Sequence, residues 1–193
     1  MVAEIKAPIT HKIFIDERNN DRDTYTYFVE YHPYRQWPGG PKNPDFDEWS
    51  DAILRLKDCF DWAIDKFYDL LDPHLAKGFP IVVVPSHDPI KIDSGIKLLA
   101  EKLAANGRID ATSCLKRYMK VDKKSFGGAR SLDVDSKSIK VVNKHLIQNK
   151  AIMLLDDVRT TGGSLDACSQ LLKDAGARIV KQVVLAQTTR KVI

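Results

Sequence analysis

Apolar positions along this chain change their period twice. Residues 12–15 are short and apolar, residues 16–23 polar, and residues 24–31 rich in β-branched and aromatic side chains, a pattern that predicts a peripheral β-hairpin. Residues 32–44, HPYRQWPGGPKNP, hold too much Pro and Gly for regular structure and read as a surface loop. From residue 46 the period becomes helical. Phe46, Trp49, Ile53, Leu56, Phe60, Ala63, Ile64, Phe67 and Leu71 recur every three or four positions until Pro73, which predicts one long amphipathic helix packed on a sheet. Residues 79–84 then form a continuous apolar run, as a strand buried on both faces must. Residues 95–105 place Ile96, Leu99 and Leu103 on one helical face and stop at Asn106-Gly107. Weaker strands are expected at 109–115 and 139–142, and a second fully buried strand at 151–155. A helix at 163–174 closed by Gly176 and a last strand at 178–187 complete the order β, α, β, β, β, α, β. That order argues for an α/β fold, a mostly parallel twisted sheet flanked by helices. At 193 residues the chain is expected to form one domain, with 1–45 a variable hairpin and loop and 46–193 the α/β core.

Hydrophobic residues at 44% and charged residues at 29% exclude disordered and fibrous classes. No apolar run reaches the roughly 18 residues of a membrane helix. The first 12 residues lack the apolar stretch and cleavage site of a secretory signal, so a cytoplasmic protein is expected. Cys59, Cys114 and Cys168 stand far apart without a CxxC pair, which points to free thiols rather than to a disulfide framework or a zinc site. The net charge of +4 is small, yet Lys116, Arg117, Lys120, Lys123, Lys124, Arg130, Lys137, Lys140 and Lys144 crowd one stretch.

Open parallel sheets bind ligands at the carboxyl ends of their strands, which directs attention to the residues after Leu155 and Val84. After Leu155 comes Asp156-Asp157-Val158-Arg159-Thr160-Thr161-Gly162-Gly163-Ser164 and then a helix. Thr160, Thr161, Gly162, Gly163 and Ser164 at a helix N-terminus offer backbone N–H groups and hydroxyls to one anion, a phosphate cradle. Asp156 and Asp157 would repel that phosphate but can accept hydrogen bonds from vicinal hydroxyls and assist a hard cation such as Mg²⁺. Phosphate beside a diol suggests a ribose 5-phosphate. A Walker A loop would need Lys where Ser164 follows Gly163, and the dinucleotide fingerprint GxGxxG is absent.

The segment AIMLLDDVRTTGGS, residues 151–164, resembles the phosphoribosyl-pyrophosphate (PRPP) motif of the type I phosphoribosyltransferases. Around it, residues 82–85 followed by SHDP, together with the LAEKLA helix, are similar to the ComF-like branch of that family. The resemblance implies an enzyme that transfers phosphoribose from PRPP to a nucleobase or other amine with Mg²⁺ and releases pyrophosphate. It implies that Asp156 and Asp157 accept the ribose 2- and 3-hydroxyls and organise the metal, while residues 160–164 hold the 5-phosphate. Ser86, His87 and Asp88 would hold pyrophosphate through backbone N–H groups, with a cis peptide in that loop. A mobile loop over 115–138 would close on the substrate, its cations Lys116, Arg117 and Arg130 stabilising the charge that develops on the leaving group. A variable hood built from residues 1–45 and the chain after Thr188 would select the acceptor. A homodimer is the expected assembly. The alternative implied by the ComF-like branch is a PRPP-binding regulatory or nucleic-acid-associated protein; nucleic acid is disfavoured because +4 is small and pyrophosphate needs the same cations.

Overall fold

The computed structural model describes residues 25–90, 93–120 and 137–189. Its elements are β1 (Thr26–Tyr31), α1 (Glu48–Lys57), α2 (Asp61–Leu71), β2 (Pro80–Val83), α3 (Gly95–Ala105), β3 (Ile109–Asp110), β4 (Leu115–Arg117), β5 (Ile139–Val141), β6 (Ala151–Arg159), α4 (Gly163–Asp174) and β7 (Ile179–Thr188). Strands β1, β7, β6, β2 and β3 lie side by side in that order, and every neighbouring pair is parallel. Strands β4 and β5 form a separate antiparallel ribbon.

Alternation along the inner strands sets the layers. Ile81, Val83, Ala151, Met153, Leu155, Val183 and Leu185 pack with α1, α2 and α3 on one face. Val82, Val84, Ile152, Leu154 and Val184 pack on the other, against Leu165, Cys168 and Leu172 of α4 and against Leu115 and Ile139 of the ribbon. Inner strands covered on both faces carry the unbroken apolar runs seen in the sequence. The chain is therefore the α/β architecture its periodicity predicts.

Thr26–Tyr31 is the outermost described strand of the main sheet, paired parallel to β7 from Thr26↔Val183 to Tyr31↔Thr188. The other half of the expected hairpin, residues 12–15, lies outside the described residues. Three expectations need correction. The single long helix is two helices. At their junction the N–H of Cys59 reaches the carbonyl of Leu56 at 2.9 Å and the N–H of Phe60 reaches that of Arg55 at 3.0 Å, with Cys59 left-handed at φ 61°. This is the hydrogen-bond pattern of a glycine-closed helix end, made here without glycine. The weak strand at 109–115 divides into β3, the 3-10 turn Thr112–Cys114 and β4. The strand ending at Leu155 continues to Arg159, so both acids sit on β6 rather than beyond it. Helices α3 and α4 have the predicted bounds.

The start of α3 is pressed onto α1. A Cβ at Gly95 would stand 1.7 Å from the carbonyl oxygen of Leu56, so only glycine permits this approach. At the far end of α3, the buried Arg108 guanidinium donates to the carbonyls of Leu75, Asp72 and Leu103 and to Asp72 Oδ1. It gathers the carboxyl ends of α2 and α3 around one cation.

Candidate functional site

From β2 the chain proceeds to β3 on one side of the sheet, and from β6 it proceeds to β7 on the other. The connections thus diverge between adjacent β2 and β6, and a crevice must open at their carboxyl ends. A cleft of about 660 Å³ lies there, within the size range of small-molecule sites. Its floor is Val84, Pro85, Ser86 and His87 after β2, with Asp156 and Asp157 of β6 beside them. The Val84 N–H donates to the Leu155 carbonyl at 3.0 Å and holds the two strand ends together. Ser164 of α4 and Ser94 of α3 enter from helix starts, Arg117 enters from β4, and Leu54, Arg55, Lys57 and Asp58 form a wall from the last turn of α1.

The two acids are half-buried and oriented by the backbone. The Asp157 N–H donates to Asp156 Oδ1 at 2.9 Å, and the Val158 N–H donates to Asp157 Oδ1 at 2.6 Å. Asp157 Oδ2 stands 3.5 Å from the Lys57 ammonium. The Asp157 carboxylate is the main reason that ammonium is held above its ordinary pKa, with burial opposing and Tyr31 and Asp156 assisting. Burial in turn pushes the Tyr31 hydroxyl up, Lys57 draws it down and Asp157 raises it again. Lys57 and Tyr31 went unnoticed in the sequence because neither belongs to a motif. The signal for Lys57 was its position in the last turn of a helix, legible only once that helix is known to end there.

Beyond β6 the chain turns at Gly162, left-handed at φ 86°, which caps α4 without a side-chain hydrogen bond. The first helical bond there runs from the Asp166 N–H to the Gly162 carbonyl at 2.9 Å. Gly162 is buried, Gly163 and Ser164 partly so, and Thr160 and Thr161 are exposed and do not line the cleft. The Arg159 guanidinium lies over the Tyr25 ring at 3.9 Å and beside Gly162.

In the loop after β2, Asp88 donates its N–H to Ser86 Oγ at 3.3 Å and accepts from the Ile90 N–H at 3.0 Å. Lys120 stands 3.5 Å from the Asp88 carboxylate. Asp88 borders this loop but does not line the cleft. No peptide among the described residues is cis, contrary to the expectation for this loop. Arg117, only 4% exposed, donates Nε to the Ser86 carbonyl at 2.7 Å and bonds Ser138 Oγ through the guanidinium. Lys116 is exposed on β4 opposite Lys140 and outside the cleft lining. Arg130 lies outside the described residues.

Among the described residues no three His, Cys, Asp or Glu side chains cluster to hold a metal. Two adjacent carboxylates are too few for a protein-made cage but suit Mg²⁺, which retains waters and takes further oxygens from substrate phosphates. The donor set therefore fits a cation that arrives with its substrate.

No protein-family model matches the chain. Over 68 residues it is 31% identical to the orotate phosphoribosyltransferase of Sulfurisphaera tokodaii, covering 35% of this chain and 29% of that protein. Over 62 residues it is 34% identical to the adenine phosphoribosyltransferase of Mycobacterium marinum, 32% of this chain and 30% of that one. The adenine phosphoribosyltransferase of Treponema denticola is 26% identical over 66 residues, 34% of this chain and 35% of that one. The chain spans about a third of the length of these curated relatives. Two solved structures align more loosely. The allosteric regulatory enzyme of purine biosynthesis aligns at TM-score 0.40 and 15% identity, over 69% of this chain and 25% of that one. A Trypanosoma cruzi hypoxanthine phosphoribosyl transferase aligns at TM-score 0.35 and 13% identity, over 76% of this chain and 72% of that one. Over about a third of its length, this chain is similar to phosphoribosyltransferases from three organisms.

Proposed function

We propose that the protein is a Mg²⁺-dependent phosphoribosyltransferase that binds PRPP and transfers its phosphoribose to a nitrogen nucleophile, a nucleobase or another amine. The observation that carries this reading is that one strand brings Asp156 and Asp157 into the cleft and runs directly into the glycine-capped start of α4. A diol acceptor and an anion donor then stand a few residues apart. Backbone N–H groups at the start of α4, with Ser164, hold the 5-phosphate. Asp156 and Asp157 accept the ribose 2- and 3-hydroxyls. Ser86 and His87, which line the cleft, hold the pyrophosphate through backbone N–H groups, in a loop whose shape Arg117 braces through the Ser86 carbonyl.

Transfer breaks the bond from the anomeric carbon to the pyrophosphate oxygen and forms one to the acceptor nitrogen with inversion. Charge grows on the leaving pyrophosphate while the ribose ring becomes cationic. Mg²⁺, when bound with PRPP and assisted by Asp156 and Asp157, supplies charge neutralisation at the leaving oxygens. Arg117 adds a fixed positive charge at that end. Positioning supplies much of the rest, and no covalent nucleophile is required.

The reading is tested by following pyrophosphate release from PRPP with Mg²⁺ across a panel of nucleobases and amines. An acceptor-dependent release that falls by about a hundredfold or more in the Asp156→Asn, Asp157→Asn double variant is expected. Full activity in that folded variant would overturn it.

A further inference from the structure

Lys57 is the last residue of α1, and its backbone is fixed from both sides. The turn at Cys59 closes the helix immediately after it, and Gly95 of α3 abuts the carbonyl of Leu56 just before it. Its side chain is 44% exposed and lies along the cleft wall, with the ammonium 3.5 Å from Asp157 Oδ2. The other oxygen of that carboxylate is engaged by the Val158 N–H at 2.6 Å, so Oδ2 is the oxygen presented to the cleft. An anchored backbone with a long flexible stem lets the charge swing while its origin stays in place. An ion pair of this length and exposure is weak, which makes it exchangeable rather than structural. Its charge still acts on the acids: a resident ammonium opposes the entry of a divalent cation at the same carboxylates.

We propose that Lys57 is a tethered counter-cation of the acid pair, holding Asp157 in the free protein and yielding it when substrate and divalent cation arrive together. Lys57 is thus a positioning residue that orders binding, and the acids take up metal with the substrate instead of before it. This rests on the reading of Asp156 and Asp157 as the ribose and cation site.

The test uses Mn²⁺ as the probe and water-proton relaxation as the readout, on the wild type, Lys57→Met and Lys57→Arg, with and without PRPP. Without PRPP, Lys57→Met is expected to bind Mn²⁺ about tenfold or more tightly than the wild type, and Lys57→Arg close to the wild type. With PRPP the three should converge. Equal Mn²⁺ affinity of wild type and Lys57→Met in the absence of PRPP would overturn the role of Lys57 while leaving the substrate reading in place. Absence of any PRPP-dependent Mn²⁺ signal in all three would overturn the substrate reading itself. Melting temperatures verify that each variant is folded, and Lys57→Gln provides the same comparison if the Met variant is not.

Discussion

At Gly162 the backbone is left-handed and already crowded. A Cβ there would meet the Arg159 guanidinium at 2.4 Å, and φ 86° would strain any side chain whatever the space. Gly162→Val should therefore lower stability by about 2 kcal/mol in chemical denaturation and weaken PRPP binding, because the first turn of α4 shifts. Unchanged PRPP affinity would mean that the phosphate sits elsewhere. A second residue-scale prediction concerns Arg108 and Asp72. The Arg108 side chain is fully buried, and removing it leaves the carbonyls of Leu75, Asp72 and Leu103 without this donor, while the Asp72 carboxylate keeps Lys77 and Asn106. Arg108→Ala should cost about 3 kcal/mol, read from denaturant midpoints. Burial alone would raise the pKa of Asp72, but hydrogen bonds and charge from Lys77 and Arg108 outweigh it and hold the carboxyl below its ordinary value. A depressed folded pKa means stability that is present above the unfolded value and lost as pH falls through the folded one. The acid limb of the stability curve should accordingly flatten in Asp72→Asn. Asp156 and Asp157 stand out in the sequence because they form a contiguous string with the glycines, whereas Lys57 is a hundred residues away from Asp157 and carries no local mark.

Among the elements, the contact between α1 and α3 positions the wall of the cleft. Gly95→Ala drives a methyl group into the Leu56 carbonyl, and backbone cannot yield as a side-chain tip does. A loss of about 1–3 kcal/mol in thermal or chemical unfolding is expected, together with a weaker hold on PRPP as the end of α1 moves. A variant as stable as the wild type would show that the helices are free to separate there. The ends of α3 and α4 were legible because they are written locally, by Asn106-Gly107 in one and by Gly162 and Gly176 in the other. The end of α1 was not, since a left-handed Cys59 looks like any other residue in the amphipathic period. Strand β1 was legible as a strand but not as a partner of β7, because pairing across some 150 residues depends on the whole sheet.

For the molecule as a whole, a parallel sheet whose connections diverge between β2 and β6 makes the site a consequence of topology. The alternation of strands and helices revealed that class of fold, and the long apolar runs identified the two central strands. The central claim is that the carboxyl ends of these two strands bind PRPP. It is tested most directly by calorimetric titration of PRPP with Mg²⁺ into the purified protein, and then into the Asp156→Asn, Asp157→Asn double variant. Saturable one-site binding by the wild type that disappears in the folded double variant is the predicted result. Absence of binding by the wild type, or equal binding by the double variant, would contradict the account.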